Sequence, residues 1–221
     1  RISKERGKAK NRRRKTMMST LAGKALLLLA FAAWIYCLTV FHRKKLEFYF
    51  FLAGSVGTFL FSFAVLQKPL TRILTTLTCY LTGLLGNAFG IFRAYTDHAI
   101  LFIDNADGPI SLYVDFECGG VIEILVFISL VAFFAVYRTW EKLLISFAGI
   151  LWIIAANIIR LFSICLMINQ FGNESYYMAH TIVGRLLFYA LSIILYFYVF
   201  TRAQIRRQRV GEFGYDSETG K

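Results

Sequence analysis

The sequence predicts an all-α polytopic membrane protein of about six transmembrane helices, with a small extracytoplasmic β-hairpin before the fourth. Three observations carry that expectation. The 221-residue chain is 57% hydrophobic and 17% aromatic, with 22 Phe, 12 Tyr and only two prolines, and burying so much apolar surface needs lipid as its solvent. Apolar stretches of about 20 residues recur, the length that crosses a hydrocarbon core as a helix. The formal net charge of +12 gathers at the two ends, in RISKERGKAKNRRRK and TRAQIRRQR. Basic flanks facing the cytoplasm and anionic membrane lipid account for that charge more simply than nucleic acid does, and no nucleic-acid partner is expected.

The elements follow in order. Residues 1–20 read as a basic cytoplasmic segment, within which Met17 or Met18 offers an alternative start. The first apolar run is too long for a signal core and lacks a small-x-small site after it, so no cleavable signal is expected. The transmembrane domain, 21–200, holds spans at 21–41, 46–66, 73–92, 119–137, 143–168 and 181–200. The fifth exceeds one crossing and must tilt or protrude. HRKK, QKPLTR and RTWEK read as short polar connections, while 93–118 and 169–180 are longer. With the N-terminus in the cytoplasm, inside segments carry 18 Lys and Arg against four outside, as the positive-inside bias requires, although HRKK runs against it. The tail, 201–221, is then cytoplasmic, and both long loops lie outside. In AILFIDNADGPISLYVDF two β-prone runs flank the turn-forming DNADGP, which predicts the hairpin. It ends directly on Glu117 and Cys118.

Polar residues are costly within a bilayer, so each asks for a reason. Cys37, Cys79 and Cys165 sit in apolar runs, where a thiol behaves as a small hydrophobe, and no CxxC motif indicates a disulfide framework or a zinc ribbon. Cys118 opens the fourth span, where a helix N-terminus favours an anion and would raise the thiolate fraction. Gly119 and Gly120 would admit an extended substrate backbone to the sulfur. The plainer reading is a small buried residue at a helix start. Arg160 lies inside an apolar run with Asn157 on the same helix face, suited to stabilising a thiolate, an oxyanion or a carboxylate. A structural ion pair with Glu123 is the alternative, and both roles are compatible. His180 opens the sixth span on the same outer side, with Gly184 and Phe188 at helical spacing below it. It is placed either to move the thiol proton or simply to cap the helix. Arg185 points away from His180 and reads as a second functional cation or an inter-helix pair. Asp97 and His98 precede the hairpin. A zinc site from His98, Cys118 and His180 lacks any ligand pair at fixed short spacing, and Asp104, Asn105 and Asp107 read as turn residues. No metal and no cofactor are expected. Cysteine, arginine and histidine thus come from three successive spans toward one surface, which suits nucleophilic acyl transfer.

ECGGVIEI, NIIRLFSI and HTIVGRLLF, in that order on the last three spans, resemble the exosortase/archaeosortase membrane transpeptidases, over roughly residues 73–200. The hairpin before the cysteine resembles theirs as well. The commoner family pattern has Ser after the cysteine; this chain has Gly119, a variant similar to a divergent Gram-positive-type branch. The resemblance implies cleavage of C-terminal sorting signals on secreted proteins, each with a short motif, a membrane helix and a basic tail. It further implies Cys118 as nucleophile, Arg160 as stabiliser and His180 as acid and base, with Glu117 orienting a partner. The acyl group would pass to an amine or lipid acceptor, or to water.

Two other classes compete. A transporter, or a scaffold for cell-surface polysaccharide assembly, would tolerate Cys118→Ser and need Arg160 only for stability. The chain lacks the repeated halves and paired broken helices of many transporters. A metal-dependent glycosyl- or phosphotransferase would depend on Asp115, Glu117 or Glu123 and on a divalent cation.

Overall fold

The computed structural model describes residues 23, 26–105, 107–116 and 118–205. The predicted segment 1–20, the tail beyond Ile205 and Glu117 lie outside the described residues. Two compact units divide the chain, Arg1–Phe61 and Ser62–Lys221.

In the first unit, α1 (Leu26–Arg43) turns at Lys45, whose φ is +55°, into α2 (Glu47–Phe89). The Trp34 indole N–H donates to the Ala53 carbonyl at 2.8 Å, which satisfies its one polar atom in apolar surroundings. Gly57 makes room for that indole, because a Cβ there would overlap it. Phe31 meets Phe61 edge to face at 5.0 Å. Leu26, Leu28, Leu29 and Tyr36 of α1 face outward, an apolar exterior that fits hydrocarbon and not water.

α2 differs from expectation. Spans 46–66 and 73–92 were expected on either side of a turn at QKPLTR, but the helix runs unbroken through those residues with Pro69 inside it. Proline removes one backbone donor, and the rest of the ladder survives; the Thr71 hydroxyl donates to the Gln67 carbonyl at 2.7 Å. Polar side chains alone do not reverse a helix. At 1.5 Å per residue α2 is about 65 Å long, twice the roughly 30 Å hydrocarbon core.

The second unit holds the rest. A three-stranded antiparallel sheet has the order β1 (Phe92–Tyr95), β2 (Ile100–Ile103), β3 (Ile110–Tyr113). β2 and β3 are the predicted hairpin, paired Ile103 to Ile110 and Ile100 to Tyr113. β1 is an added strand, taken partly from the predicted third span. It reaches β2 through the short turn Thr96–His98, closed by Ala99 in the left-handed region at φ +51°. Leu101, Ile103 and Leu112 point inward and are buried with Leu161, Ile164 and Ile168 of α4 (Thr139–Phe171), while Phe102 and Tyr113 alternate outward. α3 (Val121–Phe133) has 13 residues, about 20 Å, and is too short to cross alone where 119–137 was expected to do so. α5 (Gly184–Tyr196) is continued at each end by a π turn, Met178–Val183 and Phe197–Thr201. Gly149 of α4 receives the Phe127 ring of α3, and a Cβ at Gly184 would stand 2.8 Å from Ile164 Cδ1, so α3 and α5 both lie close against α4. Four helical runs are long and apolar enough to cross a membrane: Leu26–Arg43, Glu47–Phe89, Thr139–Phe171 and Asn173–Ile205. The protein is a mostly helical membrane protein with a small sheet, in which six expected spans become four long helical runs and the short α3.

A polar cluster fastens the sheet to the end of α4. The Asn105 amide N–H donates to the Ile168 carbonyl at 3.2 Å and to Asn173 Oδ1 at 2.8 Å. The Asn173 backbone N–H donates to Asp107 Oδ2 at 3.0 Å, and Asn169 Nδ2 to the Asp104 carbonyl at 3.2 Å. Gly172, at φ +82°, leaves room for the Asp107 carboxylate. The segment leading to Cys118 and the segment leading to His180 are thereby tied at their starts.

Candidate active site

β3 delivers the chain into a tight turn before α3. Asp115 Oδ1 accepts the Cys118 N–H at 3.0 Å, and the Asp115 carbonyl accepts the Gly119 N–H at 3.0 Å. Gly120, at φ +72°, is the N-cap of α3, and its carbonyl accepts the Ile124 N–H. Cys118 therefore stands two residues before the cap and not inside the first helical turn, where it was expected. Helix-terminal stabilisation fades within about one turn, and Cys118 is only 1% exposed. Burial pushes the thiol up to about 12 from an ordinary 9.0. The Arg160 cation pulls it down and the Asp115 carboxylate pushes it further up, but burial prevails. The expected resting thiolate is thus replaced by a neutral thiol that needs a base.

A histidine is adjacent. His180 Nε2 lies 3.7 Å from Cys118 Sγ, across 62 residues of sequence. Its ring stacks on Tyr176, with centroids 5.8 Å apart and planes 8° from parallel, which fixes the imidazole plane. His180 belongs to the π turn Met178–Val183, and not to a regular helix start as expected. Such wide turns recur at functional sites, because the extra residue re-aims the side chains that follow.

α4 supplies the third side. Asn157 and Arg160 share a face and are 1% and 6% exposed. The guanidinium of Arg160 lies over the Phe188 ring at 5.9 Å, close enough for its charge to act on Cys118, and its Nε has no hydrogen-bond partner. Neither amide atom of Asn157 has a partner among the described residues. A Cβ at Gly120 would overlap Asn157 Nδ2, so the amide is seated on the glycine that follows the cysteine turn. A buried polar group left unpaired costs about 1–3 kcal/mol, and native chains keep few such groups.

The remaining predicted residues divide. Gly119 is buried against Thr75 of α2, whose methyl would stand 3.1 Å from an added Cβ. Gly184 and Phe188 lie buried toward α4, as their spacing implied. Glu123 is in the first turn of α3, and its charge acts on the Tyr196 hydroxyl. Arg185 is exposed. His98 closes the turn between β1 and β2, and no three His, Cys, Asp or Glu side chains converge as a metal site among the described residues. Asp104, Asn105 and Asp107 form the sheet-to-α4 cluster, a larger role than turn residues. Asp115, one of the carboxylates that frame Cys118 in the sequence, holds the cysteine turn. The signal was present, since an aspartate three residues ahead of a backbone N–H is a familiar local turn. Tyr176, four residues before His180, carried no comparable signal.

Among known families, the model for transmembrane exosortases matches residues 15–198. No curated protein and no solved structure matches the chain.

Proposed function

Because the chain belongs to the transmembrane exosortase family, a family of membrane protein-sorting enzymes, we propose that it is a cysteine transpeptidase or protease acting on C-terminal sorting signals of secreted proteins. The observation that carries this reading is the 3.7 Å approach of Cys118 Sγ to His180 Nε2. The buried thiol passes its proton to His180 as sulfur attacks the scissile carbonyl, so no free thiolate need accumulate at rest. Negative charge develops on the carbonyl oxygen, and the Arg160 cation, held in a site that excludes water, stabilises it. His180 returns the proton to the leaving amine, and a thioester remains on Cys118. An amine or lipid acceptor, or water, then loses a proton to His180 and attacks the thioester, which frees the thiol. Asp115 positions the cysteine turn, and Gly119 keeps the sulfur approachable. Glu117 and Glu123 serve as supporting carboxylates, with Glu123 as a counter-charge for Arg160. Gly119 in place of Ser also favours the Gram-positive-type branch.

We place both termini in the cytoplasm and the cysteine at the extracytoplasmic edge of the bilayer, where a substrate's own helix delivers its scissile bond.

The test is a processing assay. A secreted protein from the same genome with a C-terminal helix and basic tail is co-expressed with wild type, Cys118→Ala or Cys118→Ser. The expected result is tail removal by wild type alone at equal abundance. Processing by either variant overturns the cysteine mechanism. Labelling of Cys118 by a membrane-impermeant maleimide on intact cells tests the topology, and protection until lysis would place the thiol inside.

A further inference from the structure

The Asn157 amide remains unexplained by acyl transfer alone. It is 1% exposed, both its polar atoms lack a partner among the described residues, and it rests on Gly120, two residues beyond Cys118. Several helix hydroxyls find a local partner: those of Thr71, Thr75, Ser129 and Ser163 each donate to the carbonyl four residues back, whereas the buried hydroxyls of Thr78 and Thr82 on α2 have none among the described residues. Asn157 has no such outlet, and a burial that deep selects against an idle amide. A carboxamide offers one donor group and one acceptor side by side, the complement of a peptide bond's C=O and N–H. Turning the amide over leaves the same pair of functions in the same place. Gly120 has no Cβ, so the amide rests directly on its backbone, and its φ of +72° is a conformation other residues adopt at a cost.

We propose that Asn157 is a substrate-binding residue that takes a backbone amide of the substrate beside the scissile bond, donating to its carbonyl oxygen and accepting from its N–H. The inference rests on Cys118 as the nucleophile and adds the class of group recognised next to it. Recognition is then of an extended peptide backbone, independent of the side chain at that position. Arg160, one turn further along the same face, is left to serve the reacting carbonyl.

The test needs no knowledge of the natural target. The full chain in lipid nanodiscs is treated with two reagents: an acetyl-glycyl-glycine chloromethyl ketone and the small, amide-free methyl methanethiosulfonate. With the chloromethyl ketone a carbon–sulfur bond forms, chloride leaves, and the thiol proton passes to His180. Rates are read at the Cys118 peptide by mass spectrometry. In Asn157→Leu the peptide reagent is expected to slow by about 10–100-fold, the scale of losing one well-placed donor, while the methanethiosulfonate rate stays within about threefold. A second measurement uses wild type alone, so it does not depend on that variant folding. Replacing the internal peptide N–H of the reagent by an ester oxygen is expected to slow reaction at least about fivefold, the scale of leaving one buried acceptor unpaired. Equal rates for the amide and ester reagents, with Cys118 still reactive toward the methanethiosulfonate, would overturn the Asn157 site and leave the nucleophile standing. No reaction at Cys118 with any reagent overturns both readings together.

Discussion

Two polar clusters meet α4, about three turns apart, and they differ in burial and in pairing. At the C-terminal end, Asn105, Asp107, Asn169 and Asn173 bond to one another and to backbone carbonyls, and together they join the sheet to the helix. Toward the middle, Asn157 and Arg160 are buried where the first cluster is half-buried or exposed, yet the Asn157 amide and Arg160 Nε bond to nothing within the described residues. The satisfied cluster stabilises the fold, and its chemistry is complete. The unsatisfied one is held in place by neighbouring packing and keeps its hydrogen-bonding capacity for something else. Unpaired polarity beside a cysteine–histidine pair is a stronger mark of a working site than the presence of polar residues as such.

This contrast can be broken in several ways. The largest effect is expected from Arg160→Met. Loss of this buried cation should lower processing by about 10²–10³-fold, while stability holds or rises, because an apolar residue of similar length replaces a buried charge. Melting temperature and processing rate, measured together, check this; a large fall in melting temperature would instead make Arg160 a structural member. Next is Gly120→Ala. Its Cβ meets the Asn157 amide, and the left-handed backbone adds about 1–2 kcal/mol of strain. Processing should fall by roughly 10²-fold, of which strain of that size accounts for no more than about 30-fold; wild-type rates would mean that the Asn157 amide takes no part in turnover.

The third effect is in pH. Burial raises the Cys118 thiol to about 12, so below that value the thiolate is the minor form, and its share grows tenfold with each pH unit. In His180→Ala, which lacks the base, alkylation of Cys118 by N-ethylmaleimide should rise about tenfold per unit through pH 9 and beyond. A plateau near pH 8.5–9, the range of an ordinary cysteine, would show the thiol to be less buried than its 1% exposure implies. The smallest effect on turnover is expected at the satisfied cluster. Asn173→Ala removes partners of Asn105 and Gly108 and should cost about 1–3 kcal/mol of stability, while processing per folded molecule stays within about threefold. A collapse of processing with unchanged stability would move that cluster from scaffold to site.

Much of this was legible in the chain. Hydropathy and charge bias mark a helical membrane protein, because they are properties of residues and short windows. DNADGP between β-prone runs marks β2 and β3, since turn chemistry is local as well. Cys118, Asn157, Arg160 and His180 stand out because polar groups inside apolar runs need a reason. β1 was hidden in the end of an apolar run, where period and length do not separate strand from helix. The unbroken α2 was hidden by Pro69 and its polar neighbours, which look like a turn in any short window.

By itself, then, the sequence determined the solvent, the helical class, the hairpin and the residue types from which the site is made. Tertiary structure decided the rest. The Cys118 thiol is neutral because the fold buries it behind the N-cap of α3, whereas the sequence pattern alone implied a thiolate. His180 meets the sulfur from 62 residues away, and Asn157 is left unpaired because α4 sets it against Gly120. Burial and pairing between distant segments are long-range quantities, and no window of neighbouring residues contains them.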